Sequence, residues 1–439
     1  MRYHVLAMSR SLRSTLRFFG HVARDLAGTF RTRWQRFHRR LAEGGGELVV
    51  GVDVFPFTER LTGVGWYEWN LLEALDRRDD SLVFNLYAHT FLAPGDPPAP
   101  ATPGRRNLRL RAHHLPPDLL LPVGPTLAAL RFLVEPVLRV LDSNDVLWAP
   151  NFFMPARQLP FGRAMVATVH DLAFAAMPEA VAPDTLRLLH AHLPATLFRA
   201  DRLIAVSEAT AGELASRLSA NRRRIHTIHE GLDPAFAREH QAAGAGPELP
   251  ARYLLFVSTL EPRKNVEGVL GAFELAAQAG YAGHLVLVGR WGWRTEAIRR
   301  ALDSSPVRDR ILHLDYVERG ELPGLYRGAD ALLFPSWIEG FGLPLLEAMA
   351  CGTPVVTSGC SAMAEVAGPA AVYVDPASPR DIAAGIASLL GDPELRERLV
   401  RLGRERAAKF SWNRAAAATS AALLQAGGRD SGADDEYRV

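Results

Sequence analysis

Residues 337–352 read WIEGFGLPLLEAMACG, in which two glutamates stand eight positions apart. Pro344 suits the first turn of a helix, where its missing N–H costs nothing, and Gly352 suits the position just past a helix end. The segment therefore predicts a short helix that carries Glu347, preceded by a loop that carries Glu339. Two bare acids fit an ordinary helix with solvated carboxylates, whereas the Phe-Gly-Leu-Pro context between them favours a functional pair.

The turn between the two acids leaves its backbone open. Gly340 and Gly342 have no side chains, so the amides at the start of the predicted helix can face an anion or another polar ligand. A sugar diphosphate fits that arrangement. The residues predicted to present these amides are Gly340, Phe341, Gly342 and Leu343.

Length and composition describe a globular chain. Its 439 residues are 48% hydrophobic and 22% charged, and two domains of roughly 200 residues are expected because single cores stop growing near that size. The two cysteines, Cys351 and Cys360, form neither a disulfide framework nor a zinc set. A reducing cytosol is the expected compartment.

Short apolar runs alternate with helical patterns such as Trp66–Leu75 and Ala209–Leu218. This alternation predicts parallel, doubly wound sheets, and a polar lapse near residues 237–251 divides them into two Rossmann-like domains, 47–240 and 250–408. A crossing helix at 409–426 and a disordered tail at 427–439 complete the predicted order. The first strand series is Leu48–Val52, Leu82–Tyr87, Ala164–Val169, Arg202–Val206 and Ile225–Ile228. The second is Tyr253–Val257, His284–Val288, Ile311–Leu314, Ala331–Phe334, Pro354–Thr357 and Ala371–Val374.

Lys264 is one of only two lysines among 50 basic residues, so an ammonium is favoured at this position over the guanidinium that the chain otherwise uses. It follows Arg263 at the end of the first strand of the second domain, where Asn265 is predicted to cap the next helix. Cations at a helix N-terminus oppose the helix dipole unless an anion binds there. A solvated basic turn is the alternative.

Two further loops follow predicted strands of the first domain. His170 and Asp171 stand at the carboxyl end of a strand, where open α/β sheets place ligands, although a His-Asp pair alone fits a structural hydrogen bond. Gly63 and Gly65 open a helix after the first strand; the pattern lacks the third glycine of a dinucleotide fingerprint, so no NAD or FAD site is predicted.

These segments together resemble the retaining glycosyltransferases of family 4 over residues 47–425. In that family the first glutamate touches the donor sugar and the second holds the nucleotide ribose, positions matched here by Glu339 and Glu347. Arg263 with Lys264 resembles the clamp on the diphosphate, and His170 matches the residue that reaches the donor sugar. The glycine loops and other nucleotide-binding positions of the family are matched by Gly63, Gly65, Gly289, Arg290, Tyr316 and Val317. Its acceptor-side or supporting positions are matched by Asp171, Ser207 and Glu208.

The resemblance implies the GT-B architecture, with two domains facing a cleft, and retaining transfer from a nucleotide sugar to a saccharide or lipid-linked acceptor. It implies no cofactor and no metal, because Arg263 and Lys264 supply the positive charge. His170-Asp171-Leu172, Arg263-Lys264-Asn265 and the GRWGW run from Gly289 resemble bacterial polysaccharide mannosyltransferases and favour GDP-mannose. A nucleotide-sugar hydrolase or epimerase and a non-catalytic partner subunit are the alternatives. Because the diphosphate is absent from the free protein, Lys264→Ala is expected to lower turnover far more than folding stability.

The first 46 residues lie outside that resemblance. Ten arginines against Asp25 and Glu43 give them a charge of +8, which leaves −6 for the rest of a chain of net charge +2. Apolar residues from Leu12 to Leu41 recur every three or four positions, as on one helix face. Such a helix fits an anionic membrane surface or packing against protein. We expect a cytoplasmic protein, peripheral on the inner membrane face, with no nucleic-acid partner.

Overall fold

The computed structural model describes residues 46–54, 56, 61, 63–78, 81–89, 108–113, 144–153, 162–238 and 249–429. The predicted amphipathic segment from Leu12 to Leu41 lies outside them. So do the Pro-rich run Leu92–Arg106, most of the predicted linker and the tail after residue 429. Within the described part of the chain, no helix has the length and apolarity needed to cross a membrane.

A seven-stranded sheet forms from the first half of the chain, in the order β3-β2-β1-β4-β5-β6-β7. Strand β1 pairs in parallel with β2 and β4, β2 with β3, and β4 with β5. The strands are β1 Leu48–Asp53, β2 Leu82–His89, β3 Leu108–His113, β4 Asn144–Ala149, β5 Gly162–Val169, β6 Arg202–Ala205 and β7 Ile225–Thr227.

A six-stranded parallel sheet forms from the second half, in the order β10-β9-β8-β11-β12-β13. Its buried strands are continuous apolar runs, as expected when helices cover both faces. The strands are β8 Tyr253–Val257, β9 His284–Val288, β10 Ile311–Leu314, β11 Ala331–Phe334, β12 Val355–Ser358 and β13 Ala371–Val374.

Helices connect these strands. Among the described residues they are α1 Gly63–Asp76, α2 Ala173–Ala176, α3 Pro183–Arg199, α4 Glu208–Arg217, α5 Pro234–Ala237, α6 Val266–Gln278, α7 Glu296–Asp303, α8 Leu322–Gly328, α9 Leu343–Cys351, α10 Ala362–Ala367, α11 Pro379–Gly391, α12 Pro393–Ala407 and α13 Trp412–Ala426. Helix α9 ends at Gly352 in the left-handed conformation, with φ of 77°, so its predicted end is confirmed.

The sequence prediction missed two strands, β3 and β4. Strand β3 reads LRLRAH and lies at the edge of its sheet, where alternating arginines hide the apolar signal. Strand β4 begins with Asn144 and Asp145, polar residues that mask its start. The Asn144 side chain accepts a hydrogen bond from the Asn85 amide at 2.8 Å, and the Asp145 carboxylate accepts one from the Val49 N–H at 2.9 Å. These partners offset the cost of polar residues in a central strand.

Contacts between residues divide the chain into two compact units. The first takes the described residues as far as Thr168, with Ala191–Ile204 and the chain from Ala416 onward; the second takes Val169–His190 and Ala205–Ala415. His170 therefore belongs to the same unit as Glu339. The domain boundaries predicted from the sequence, 47–240 and 250–408, stay a prediction.

Candidate functional site

The predicted site residues of the second unit gather where loops follow the strands of the six-stranded sheet. Arg263 and Lys264 follow β8, Tyr316 follows β10 and Glu339 follows β11, immediately before α9. Because parallel strands end at the same edge of a sheet, their loops share that edge, where open α/β sheets bind ligands.

Glu339 is buried and bound from three sides. Lys264 Nζ lies 2.6 Å from each of its carboxylate oxygens, Arg263 Nη1 lies 3.2 Å from Oε2, and the Ser336 hydroxyl donates to Oε1 at 2.9 Å. The Ser361 hydroxyl donates to its carbonyl oxygen at 2.5 Å. The loop therefore has a fixed conformation at the glutamate that the family resemblance assigns to the donor sugar.

The charges in this cluster depend on one another. Burial raises the pKa of Glu339, but Lys264 and Arg263 outweigh it and hold that pKa below its usual value. Burial, together with the Arg263 charge, lowers the pKa of Lys264. Arg263 also donates from Nε to Glu261 at 2.6 Å, yet burial keeps the pKa of Glu261 above its usual value. Two cations thus share two buried acids, so the charges of the cluster largely balance one another in the free protein.

Asn265 does not cap the helix that follows it, contrary to the prediction. Its backbone is left-handed, with φ of 58°, and its side chain makes no capping bond to α6. Instead its amide donates to the carbonyl oxygens of Pro335 at 3.0 Å and Pro376 at 2.7 Å. The side chain therefore ties the Lys264 turn to the loops after β11 and β13, where two carbonyl acceptors outcompete the helix start.

Gly340 lies directly against the main chain of His170. A Cβ built on Gly340 would lie 1.6 Å from the His170 carbonyl oxygen, far inside van der Waals contact. The Thr210 hydroxyl donates to that same oxygen at 3.2 Å. Position 340 thus requires glycine, because only glycine allows the two backbones to approach so closely. Gly340 therefore packs the Glu339 loop against the His170 loop, whether or not its N–H also binds a ligand.

His170 and Asp171 occupy distinct environments. The His170 ring is buried, with Nδ1 3.7 Å from a carboxylate oxygen of Glu230. Asp171 accepts a hydrogen bond from the Ala173 N–H at 3.0 Å and lies 3.7 Å from Arg263. The acid therefore positions the first turn of α2 and adds charge to the Arg263 cluster, while the imidazole faces a separate carboxylate.

Glu347 lies on α9, buried, with partners from the preceding helix and loop. The Tyr326 hydroxyl donates to Oε2 at 2.8 Å, and Arg319 Nη1 lies 3.7 Å from Oε1. The pKa of Glu347 is raised above its usual value, chiefly by burial. Arg319 and Tyr326 lower this pKa, whereas the nearby acids Asp233 and Glu230 raise it. A ligand that donates hydrogen bonds to this carboxylate would relieve that unfavourable environment.

The start of α9 is shaped by Gly342 and Phe341. Gly342 has φ of 103°, a conformation that favours glycine, and its carbonyl accepts from the Leu345 N–H. Phe341 is buried between aromatic rings, with centroids 5.9 Å from His229 and 5.7 Å from Phe410. The Phe341 side chain therefore anchors the loop and leaves ligand contact to the backbone around it.

The predicted base-binding positions also lie in loops at this edge. Arg290 is stacked over the Tyr316 ring at 5.5 Å, and Val317 is buried. Gly289 has φ of 142°, and a Cβ there would lie 1.9 Å from the Ser258 carbonyl oxygen. These contacts fix the loops after β9 and β10, and they leave the base-binding role a prediction.

Ser207 and Glu208 begin helix α4. The Ser207 hydroxyl accepts from the Thr210 N–H at 3.0 Å as an N-cap, and Glu208 pairs with Arg222 at 2.6 Å on the surface. The Glu365 carboxylate accepts from the N–H groups of Glu208 at 2.9 Å and Ala209 at 3.1 Å. The start of this helix is therefore bonded from within the second unit, and the acceptor-side or supporting role of Ser207 and Glu208 stays a prediction.

Gly63 and Gly65 belong to the first unit. Gly63 is the first residue of α1, and a Cβ built there meets no atom within 4 Å. Gly65 is buried, and its Cβ would lie 2.9 Å from the Leu61 side chain. The predicted strand–glycine–helix arrangement is present, and its role beneath donor phosphates stays a prediction.

Family models match most of the chain. The model described as Glycosyltransferase Family 4 matches residues 61–236, and that described as Glycosyl transferases group 1 matches residues 238–406. The O-antigen chain mannosyltransferase B of Escherichia coli is 32% identical over 284 residues, covering 62% of this chain and 72% of that protein. The chain belongs to glycosyltransferase family 4.

Other relatives of this glycosyltransferase support the same placement. The D-inositol 3-phosphate glycosyltransferase of Segniliparus rotundus is 31% identical over 263 residues, which are 57% of this chain and 58% of that protein. The solved structure of sucrose-phosphate synthase from Thermosynechococcus elongatus aligns with a TM-score of 0.63 at 22% identity, covering 87% of this chain and 98% of that one. With two parallel sheets, this likeness confirms the predicted GT-B fold.

Sequence reasoning missed several residues that shape the glycosyltransferase site. The most important are His229, Glu230 and Asp233, in a five-residue segment shortly after β7. His229 packs on Phe341, Glu230 faces His170, and Asp233 binds Arg319 Nε at 3.0 Å. These residues could have been found in the sequence, because a polar cluster just after a strand is the same pattern that identified His170 as a candidate.

Proposed function

We propose that this family 4 glycosyltransferase transfers a hexose, with mannose favoured, from a nucleotide sugar to a saccharide or lipid-linked saccharide during surface polysaccharide assembly, with retention at the anomeric carbon. The observation that carries the proposal is the buried cluster of Arg263, Lys264 and Glu339 just before the N-terminus of α9. It combines two cations for a leaving diphosphate with a carboxylate fixed beside them.

Departure of the nucleoside diphosphate is the step that such a cluster would assist. Negative charge grows on the leaving phosphate, and preorganised cations and amides stabilise it without reorganisation. Lys264 can donate three hydrogen bonds. Two of them reach Glu339, and the third would reach a phosphate oxygen of the donor. Arg263 and the amides from Gly340 to Leu343 would share that charge.

The carboxylates would orient the donor on either side of the diphosphate. Glu339 accepts hydroxyl hydrogen bonds from the sugar, with His170 beside it, and Glu347 accepts those of the ribose. The buried, raised-pKa environment of Glu347 supports a role in which ligand hydroxyls supply stabilisation that the free protein lacks.

Nucleotide titration tests the ribose assignment. Glu347→Ala is expected to weaken binding of GDP by roughly 2 to 4 kcal/mol, because two hydrogen bonds to a carboxylate are lost, and Tyr326→Phe by less. Isothermal calorimetry measures both, with exposed Glu405→Ala as control. Unchanged GDP and UDP affinity in Glu347→Ala would remove Glu347 from the nucleotide site.

Mannose is favoured by the mannosyltransferase named among the relatives and by the motif resemblance. Donor-release assays with GDP-mannose, UDP-glucose and UDP-N-acetylglucosamine, with lipid-linked acceptors, would decide the donor. Incubation of each donor without acceptor distinguishes transfer from hydrolysis or epimerisation. NMR of the new glycosidic linkage reports whether the anomeric configuration is retained.

Metal independence is proposed from the same cluster, because its two cations would supply the charge that a magnesium ion otherwise provides. No group of three or more His, Cys, Asp or Glu suited to a metal occurs among the residues that the structure describes. Transfer is expected to continue in EDTA at an unchanged rate; restoration by magnesium after a loss in EDTA would contradict this.

Peripheral attachment to the inner membrane face is proposed for residues 1–46 from their charge of +8 and apolar periodicity. Binding to anionic vesicles should weaken with salt, since each basic residue near such a surface contributes about 1 kcal/mol. Flotation of the full chain and a truncation lacking these residues is the test. Equal flotation would favour packing of this segment against protein.

A further inference from the structure

The segment His229–Asp233 is held in place along its backbone. A Cβ on Gly231 would lie 2.2 Å from the Trp412 nitrogen, so the two main chains touch. The Leu232 N–H donates to the Phe410 carbonyl at 3.3 Å. His229 contributes a 2.6 Å contact from Nε2 to Glu365. The backbone that carries the Glu230 side chain is therefore held in one conformation.

The partner of Glu230 is equally constrained. The His170 carbonyl accepts from Thr210 and lies against Gly340, so rotation about the side-chain bonds is the main freedom left to the imidazole. Its Nδ1 faces Glu230 Oε1 at 3.7 Å, and the two side chains are only 8% exposed each. This separation is longer than a hydrogen bond, and such contacts in a ligand-free site can shorten when a ligand binds.

A carboxylate and an amide differ as partners for the imidazole. An ionised carboxylate only accepts hydrogen bonds, whereas an amide can either accept or donate. The carboxylate of Glu230, which faces Nδ1, therefore favours a proton on that nitrogen. An amide at position 230 would not select one tautomer in this way.

We propose that Glu230 is a positioning residue that acts through His170. Its carboxylate accepts a hydrogen bond from Nδ1–H, which selects the tautomer with an unprotonated Nε2 and fixes the ring plane. Nε2 is then an acceptor for a hydroxyl of the bound sugar. The proposal rests on the proposed role of His170 at the donor sugar, and it adds the residue that prepares the imidazole for that role.

The tautomer can be measured without any turnover. Ring ¹⁵N and ¹H signals of the full chain labelled in histidine, recorded at pH 8.5 and assigned by loss of one set in His170→Asn, should show Nδ1–H predominating. Glu230→Gln should shift His170 toward the other tautomer, Glu230→Asp should keep Nδ1–H, and exposed Glu405→Gln should change nothing. Identical His170 signals in wild type and Glu230→Gln would overturn the proposal. If Glu230→Gln does not fold, wild type carries the test, since predominance of Nε2–H there is equally contradictory.

Kinetics then separates positioning from direct action. Glu230→Gln is expected to lower kcat for donor turnover about 10- to 100-fold, by analogy with groups that orient metal-binding histidines, with little change in KM. Combined with His170→Ala, it should cost nothing further, because coupled residues are not additive. Additive losses would overturn action through His170. If no donor turns over, the proposed function fails, while the NMR result still decides the tautomer.

Discussion

Each unit contains a strand, a glycine turn and a helix with a buried glutamate nearby, on the loop before the helix in the second unit and on the helix itself in the first. The two glutamates differ in their partners. In the second unit Glu339 is bound by Lys264, Arg263 and Ser336. In the first unit Glu68 on α1 is fully buried, and among the residues that the structure describes neither of its carboxylate oxygens has a hydrogen-bond partner. Burial lowers the stability of the ionised form in both, and only the second region compensates for it.

The pKa directions express that difference. The cations beside Glu339 overcome burial and lower its pKa, whereas burial and then the Asp53 charge raise the pKa of Glu68 well above its usual value. Burial alone therefore does not identify a working acid. The arrangement of fixed cations around Glu339 distinguishes the site from an acid that is simply enclosed.

The largest expected effect comes from breaking the compensated pair. Lys264→Ala leaves Glu339 buried without its ammonium, and loss of one partner of a buried ion pair costs about 3–5 kcal/mol. The premise of the sequence-based expectation, that Lys264 has no partner in the free protein, is contradicted by its contacts with Glu339. Urea unfolding measures the effect, with exposed Lys409→Ala as the matched lysine control. Equal stability of the two variants would show that the pair is not compensated as described.

The glycine turns give a second contrast. Gly340→Ala forces a Cβ onto the His170 carbonyl and is expected to destabilise by about 1–3 kcal/mol or more, as overpacking does. Gly63→Ala has open space and is expected to be neutral or to stabilise by about 0.4–1 kcal/mol. Thermal and urea unfolding of both variants compares them. Similar losses in the two would contradict the close approach at Gly340.

Neutralising the uncompensated acid should have the opposite sign. Glu68→Gln is expected to raise the free energy of unfolding at pH 7 by about 1–3 kcal/mol, because the amide keeps the shape of the carboxyl group but removes the penalty for a buried ionisable group. Because the folded pKa of Glu68 is raised, its ionisation penalises the folded state only above the unfolded value near 4.5. The gain should vanish below that pH. A loss of stability at pH 7 would reveal a partner for Glu68.

The smallest expected effect concerns Glu365, a partly buried acid that can be compared with Glu68 and Glu339. Glu365 accepts hydrogen bonds from His229 and the start of α4; burial raises its pKa, and these bonds reverse the shift to a net lowering. Glu365→Gln is expected to cost about 1 kcal/mol at pH 7. The cost should persist above the unfolded value of about 4.5 and disappear as pH falls through the lower folded pKa. Stability curves of Glu365→Gln and Glu68→Gln should thus deviate from wild type in opposite directions.

Local sequence was sufficient for the second sheet. The predicted bounds of β8, β9, β10, β11 and β13 coincide with the structure, because each is a short, mainly apolar run. The edge strand β3 and the polar start of β4 were missed for the opposite reason: their stability depends on neighbouring strands. The Asn265 cap failed similarly, since two carbonyls distant in sequence compete for its amide.

The sequence by itself determined the alternating α/β order, the family and the short helix after Glu339, because these depend on periodicity, turn residues and local spacing. Only the tertiary structure decided which charges meet. Lys264 and Glu339 are 75 residues apart in sequence, and Glu230 reaches His170 from another strand end. Compensation of a buried charge is set by distances across the fold, and a linear sequence does not specify those distances.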